Sequence, residues 1–148
     1  MSYKRRYFYI DTENVNFKAW VPYLDYLKST DTVYVLSSRN SNTIPVEYVT
    51  LLQKTCCKFE VVQCQVGTKN AMDFVLCACL GKFMLKAPKS EHYIISRDAG
   101  YTPVIAYGEE SGVFVKQRDS MHNCLALNNH TNLDLLLGGF LNEEYCQK

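Results

Sequence analysis

The stretch Tyr7-Phe8-Tyr9-Ile10-Asp11-Thr12-Glu13-Asn14-Val15 decides the fold. Aromatic and β-branched residues fill its first half, and it then breaks off into acids and an amide. A short apolar run of this kind reads as a strand buried on both faces, as in a parallel sheet. The polar group behind it stands at the strand's carboxyl end, the edge where open α/β sheets bind ligands. A charge at the end of a buried strand is costly unless it is paired or solvated, so Asp11 asks for an explanation.

Working outward, Met1-Ser2-Tyr3-Lys4-Arg5-Arg6 is basic but runs into only a few apolar residues, too few for a signal-peptide core or a membrane span. A cytoplasmic protein with no membrane partner is therefore expected. Downstream, Phe17, Trp20, Val21, Leu24 and Leu27 form a helical stripe over residues 16–27, with Pro22 near its start. Residues 32–36 are a second buried strand, ending in the polar loop 37–42. Thr43 is placed to cap a helix over 45–54. Residues 58–63 alternate, as a strand near a sheet edge does. The longest helix spans about 71–85 and is apolar almost all round between Phe74 and Leu80, which predicts deep burial. A fourth strand at 92–95, a short helix at 101–107 and a fifth strand at 112–116 follow. Five alternations of strand and helix predict an α/β doubly wound parallel sheet with helices on both faces. The pattern fades from Gln117, so the expected division is a domain over 1–117 and a tail over 118–148. That tail has short helices near 133–137 and 141–146 and packs on the domain.

The 148 residues suffice for one domain with a real core, and a net charge of +1 means that any contact with a polyanion must be local. The seven cysteines are irregularly spaced with no Cys-x-x-Cys pair, which reads as a set of reduced thiols. His122, Cys124, His130 and Cys146 match no usual zinc spacing.

Two more acids sit like Asp11. Asp73 follows Asn70 at the start of the long helix, and Asp98 ends Tyr93-Ile94-Ile95-Ser96-Arg97-Asp98. Each also has a plain structural reading: Asp73 as a first-turn acid complementing the helix dipole, with Asn70 as cap, and Asp98 as a turn acid. Brought together at a switch point of the sheet, three carboxylates repel unless a cation or proton intervenes. Carboxylate oxygens and water suit magnesium or manganese. The same repulsion predicts that Asp11→Asn raises stability in metal-free buffer.

Asp11-x-x-Asn14, Lys69-Asn70-Ala71-Met72-Asp73-Phe74 and Ser96-Arg97-Asp98-Ala99-Gly100 resemble, in order and spacing, the signatures of PIN-like domains. The nearest fit is to the NYN branch and related small bacterial PIN-like proteins, over about residues 5–116. The resemblance implies a three-layer α/β/α fold with strand order 3-2-1-4-5 and a Mg2+- or Mn2+-dependent endoribonuclease. It implies Asp11, Asp73 and Asp98 as the metal-binding acids, with Asn14 and Ser96 orienting water or phosphate beside them. Where many relatives carry another acid, this chain has Gly100. Glu13 and Glu47 are the candidates for a further ligand.

Lys69, Asn70, Arg97, Arg39 and Ser37 lie on loops at the same edge and are candidates to hold single-stranded RNA, although each is also an ordinary solvated or capping residue in its own right. Tyr101 is placed either to stack on a base or to pack in the core. Self-association remains open. The alternatives to cleavage are a PIN-like domain that binds nucleic acid or a partner without cutting, and a phosphatase using Asp11 as nucleophile. The second is weakened by Glu13 in place of an aspartate and by the lack of a lysine motif.

Overall fold

Three runs of consecutive apolar residues form the middle of the sheet, because only a strand covered on both faces can hide every side chain. They are β1 (Arg6–Asp11), β2 (Thr32–Ser37) and β4 (Glu91–Ile95). β3 (Lys58–Gln63) and β5 (Phe114–Arg118) flank them. The computed structural model describes residues 4–39, 41, 43–64 and 68–125. All five strands are parallel, in the order β3-β2-β1-β4-β5. The sheet is covered by helices in a three-layer α/β/α arrangement.

The core is therefore double. Phe8, Ile10, Val33, Val35 and Ile95 face one side with Trp20, Leu24 and Leu51. Tyr9, Tyr34, Leu36 and Ile94 face the other with Met72, Leu76, Leu80 and Met84. These four come from α2 (Ala71–Lys86), whose every fourth residue meets the sheet. Each of those side chains contributes roughly 1.5–3 kcal/mol by burial. Only that stripe is buried: Phe74 is 72% exposed and Leu85 84% exposed, so α2 is not covered all round as its composition predicts.

Local chemistry corrects three more expectations. Residues 16–27 form two 3-10 helices, Phe17–Ala19 and Val21–Tyr26, rather than an α-helix. The carboxamide of Asn16 caps the first, and Trp20 at φ −138° breaks the run before Pro22. Thr43 caps nothing: Pro45 precedes a 3-10 turn, Val46–Tyr48, that leads into the short α1 (Val49–Lys54). Gly112, at φ +78°, belongs to the turn after α3 (Thr102–Glu110), so β5 begins at Phe114. α3 lies close on β5, since a Cβ at Gly108 would stand 2.7 Å from Val115 Cγ2. Beyond β5 the described residues include a 3-10 turn, Met121–Cys124. The helices expected in the tail, with His130 and Cys146, lie outside the described residues.

The chain runs from β1 through β2 to β3, and α2 then carries it back to β4 on the other side of β1. The carboxyl ends of β1 and β4 thus border the point where the winding reverses, the crevice position of open sheets. No helix among the described residues is long and apolar enough to cross a membrane.

Candidate active site at the β1–β4 switch point

Asp11 closes β1, level with Leu36 of β2, and is wholly buried. The chain turns back on it at once: Asn14 N–H and Val15 N–H both donate to the Asp11 carbonyl. That turn delivers two side-chain contacts. Asn14 Nδ2 donates to Asp11 Oδ2 at 2.7 Å, and the Glu13 backbone N–H to Oδ1 at 3.2 Å. Directly after β4, Ser96 Oγ donates to Oδ2 at 2.8 Å, and from the 3-10 turn Ala99–Tyr101 that leads into α3 the Tyr101 hydroxyl reaches it at 3.1 Å. The buried charge is thus solvated by four protein donors, which removes most of the cost of its burial.

The Tyr101 hydroxyl also lies 3.1 Å from Asp73 Oδ1. One phenolic oxygen therefore joins the acid of β1 to the acid of α2. It has a single proton for two carboxylates, so it cannot satisfy both fully. Burial and the two acids hold the Tyr101 hydroxyl far above the ordinary phenol range. Burial also raises the Asp73 carboxyl, and the charges of Asp11, Asp98 and Glu13 raise it further, against a lowering hydrogen bond from Tyr101. Asp73 thus feels three neighbouring acids. Asn70 precedes it at the cap position of α2, in a left-handed conformation at φ 65°, and its side chain caps nothing.

Asp98 is tied to the same group through its backbone rather than its carboxylate. Its N–H donates to Ser96 Oγ at 3.0 Å, while Asp98 Oδ1 accepts the Gly100 N–H at 2.8 Å. From β5, Gln117 Nε2 donates to the carbonyls of Ser96 and Asp98 and fixes this turn. Sequence reasoning weighed Tyr101 only as a base-stacking or core ring, not for a hydroxyl that links two acids, and it did not consider Gln117. Gln117 offered no signal.

The remaining candidates stand apart. Ser37, buried at the end of β2, lines a largely apolar cavity of about 940 Å3 beside Thr12 and Glu13. Arg97 lines a polar cavity of about 640 Å3 on the other side of Glu13. Arg39, Lys69, Asn70 and Glu47 are exposed loop or turn residues.

Carboxylate oxygens are the right donors for a divalent hard cation, and crowded acids that raise the proton affinity of Asp73 are what such a cation relieves. Among the described residues, no three His, Cys, Asp or Glu side chains stand together as a ready metal cage. The residues fit a cation bound by two carboxylates with water completing its shell, which is a usual arrangement for magnesium. The Tyr101 hydroxyl now occupies the place between those carboxylates.

The model of the PIN domain matches residues 5–118. No curated protein and no solved structure shows a match. PIN domains are typically nucleases that use divalent metals and commonly bind nucleic acid, chemistry in keeping with acids gathered at this edge. The match runs from the residue before β1 to the last residue of β5, and so takes in the whole sheet and every acid of the switch point. On that footing the chain belongs to the PIN domain family.

Proposed function

We propose that this protein is a cytoplasmic Mg2+- or Mn2+-dependent endoribonuclease of the NYN-like kind, acting on single-stranded RNA at the Asp11–Asp73 pair. The observation that carries this reading is the convergence of a wholly buried acid from β1 and a second from α2 on one hydroxyl oxygen. Asp11 and Asp73 would hold the metal, with Asp98 and Glu13 near enough to add to the field and Glu47 set apart. When bound, the metal supplies an activated water and neutralises phosphate charge. The chain's own groups do the rest. Asn14 and Ser96 hold Asp11 Oδ2 in a fixed orientation, as groups around a metal-binding oxygen do. Arg97, Arg39 and Lys69 offer exposed cations for the RNA backbone, and Ser37 and Asn70 offer polar contacts beside them.

A second reading has an observation of its own. Tyr101 takes the place between the two carboxylates, and Gly100 stands where the PIN-like resemblance leads one to expect a further acid. Both favour a domain that binds RNA without cutting it.

Single-turnover cleavage of single-stranded RNA, measured beside equilibrium binding, separates the two. With magnesium or manganese the protein should cut, and with chelator it should not. Asp73→Asn and Asp98→Asn should slow cutting while largely sparing binding, Asp73→Asn by about a thousandfold or more, since metal activation acts on the transition state. Wild-type protein that binds RNA but cuts no faster than Asp73→Asn would leave the binding reading in possession.

A further inference from the structure

The polar cavity of about 640 Å3 is walled by the 3-10 helix Phe17–Ala19, the turn after β4 and the 3-10 turn Met121–Cys124. Three observations give it a chemistry. First, Lys18 and Arg97 line it, and neither side chain forms an ion pair or hydrogen bond among the described residues. Second, His122 also lines it, and its Nδ1 is buried with no hydrogen-bond partner among the described residues. A desolvated ring nitrogen left unpaired costs about 1–3 kcal/mol, a cost that a ligand in the cavity would recover once the ring turns this nitrogen toward it. Third, Asn14 stands in its wall and donates to Asp11 Oδ2, so the cavity borders the acids directly. Two acids, Glu13 and Asp119, also line it and balance the two cations, so any hold on an anion must come from where Lys18 and Arg97 stand rather than from excess positive charge; Asp119 accepts from Asn123 Nδ2 at 2.7 Å.

A polyanion passing a group of carboxylates needs unpaired cations beside them to hold its phosphates. We propose that this cavity seats the nucleotide adjoining the bond to be cut, its phosphate held by Lys18 and Arg97 and a hydrogen bond to it made by the His122 ring. The placement beside the cut rests on the nuclease reading, whereas the seat itself does not require cleavage. His122 is a positioning group here, and nothing in the family match assigns it.

The test titrates adenosine 5′-monophosphate, and separately inorganic phosphate, into the full chain in the presence of chelator. Binding is read by calorimetry and by the ring-nitrogen NMR signals of His122. The mononucleotide should move those signals, and Lys18→Ala and Arg97→Ala should each weaken it about tenfold or more. Lys89→Ala, an exposed cation before β4 at the opposite edge, should leave affinity unchanged. His122→Phe should weaken the mononucleotide more than phosphate, with folding checked by circular dichroism. Absent binding, unmoved His122 signals, or a loss as large in Lys89→Ala would overturn the proposal, and phosphate binding as tightly as the mononucleotide would reduce it to a bare anion site. A protein that binds the mononucleotide at this seat yet cuts no RNA sinks the nuclease reading and leaves the seat standing. Metal-dependent cutting with unchanged affinity in the two cation variants does the reverse.

Discussion

At the scale of one residue, Asp11 shows why charge counting is not enough. Repulsion among acids argues that Asp11→Asn stabilises the protein without metal. Four donors point at the Asp11 carboxylate in a site closed to solvent, however, and an asparagine would turn its own Nδ2 donors against some of them. The expected sign is therefore reversed: Asp11→Asn should lower stability by about 1–3 kcal/mol in chelator, measured by chemical denaturation. An unchanged or raised midpoint would mean that repulsion outweighs the lost bonds. Tyr101→Phe isolates the neighbouring effect. It keeps the buried ring but removes the hydroxyl from between Asp11 and Asp73. In chelator this variant should melt lower, for want of a donor to a buried acid. Added magnesium should then raise its melting temperature more than it raises that of the wild type, because the cation no longer competes with a hydroxyl. A magnesium shift equal to or smaller than the wild type's would show that Tyr101 does not stand in the metal's way.

Elements were legible in proportion to how far their own sequence decides them. β1, β2 and β4 are continuous apolar runs with no other way to be buried, and they stand where those runs predict. Residues 16–27 were not legible in type, since apolar residues three and four apart suit 3-10 turns as well as an α-helix. The exposed face of α2 was hidden because composition does not say which side meets the sheet. The site divides the same way: Asp11 and Asp73 advertise themselves by ending or opening an element, while the Tyr101 hydroxyl acquires its role only when the turn before α3 brings it between Asp11 and Asp73. His92 of β4 is a further case of a role set by packing. It lies buried against the rings of Tyr7 and Tyr9. Its Nε2 is 3.0 Å from the Ala87 carbonyl, which can only accept, so Nε2 carries the proton and Nδ1 accepts from the Tyr9 hydroxyl at 2.9 Å. Burial lowers the proton affinity of His92 below its ordinary value, so the unfolded chain binds that proton more readily than the folded one. Stability from this group is thus complete above about pH 6.5 and is lost as pH falls from there through the folded value, by at most about 1.4 kcal/mol per pH unit. Denaturation midpoints between neutral pH and pH 5 should fall more steeply for wild type than for His92→Gln. Equal slopes would remove His92 as the cause.

Across the whole molecule, the two edges of the sheet carry different burdens. The carboxyl edge collects acids that are solvated by donors, and the amino edge holds a charge that is paired. Asp31, wholly buried before β2, receives Arg6 in a two-point contact, Nε at 3.1 Å and Nη2 at 2.8 Å. The Lys28 N–H adds a third donor, and the Asp31 carbonyl accepts the Lys58 N–H at the start of β3. One ion pair therefore ties together the beginnings of β1, β2 and β3. Nothing in the sequence announces it, since the partners are 25 residues apart and each reads as a solvated charge beside a turn. Arg6 and Asp11 stand at opposite ends of β1, about 16 Å apart at the usual strand rise. That separation allows stability and chemistry to be tested apart. Arg6→Ala leaves Asp31 charged, buried and short of its partner, and should cost about 3–5 kcal/mol of stability. RNA affinity and any metal-dependent cleavage, expressed per folded molecule well below the melting temperature, should stay at the wild-type level. A loss under about 1 kcal/mol would rank the contact with exposed surface pairs. Activity falling in step with stability would instead show that the geometry around Asp11 depends on the far end of its own strand.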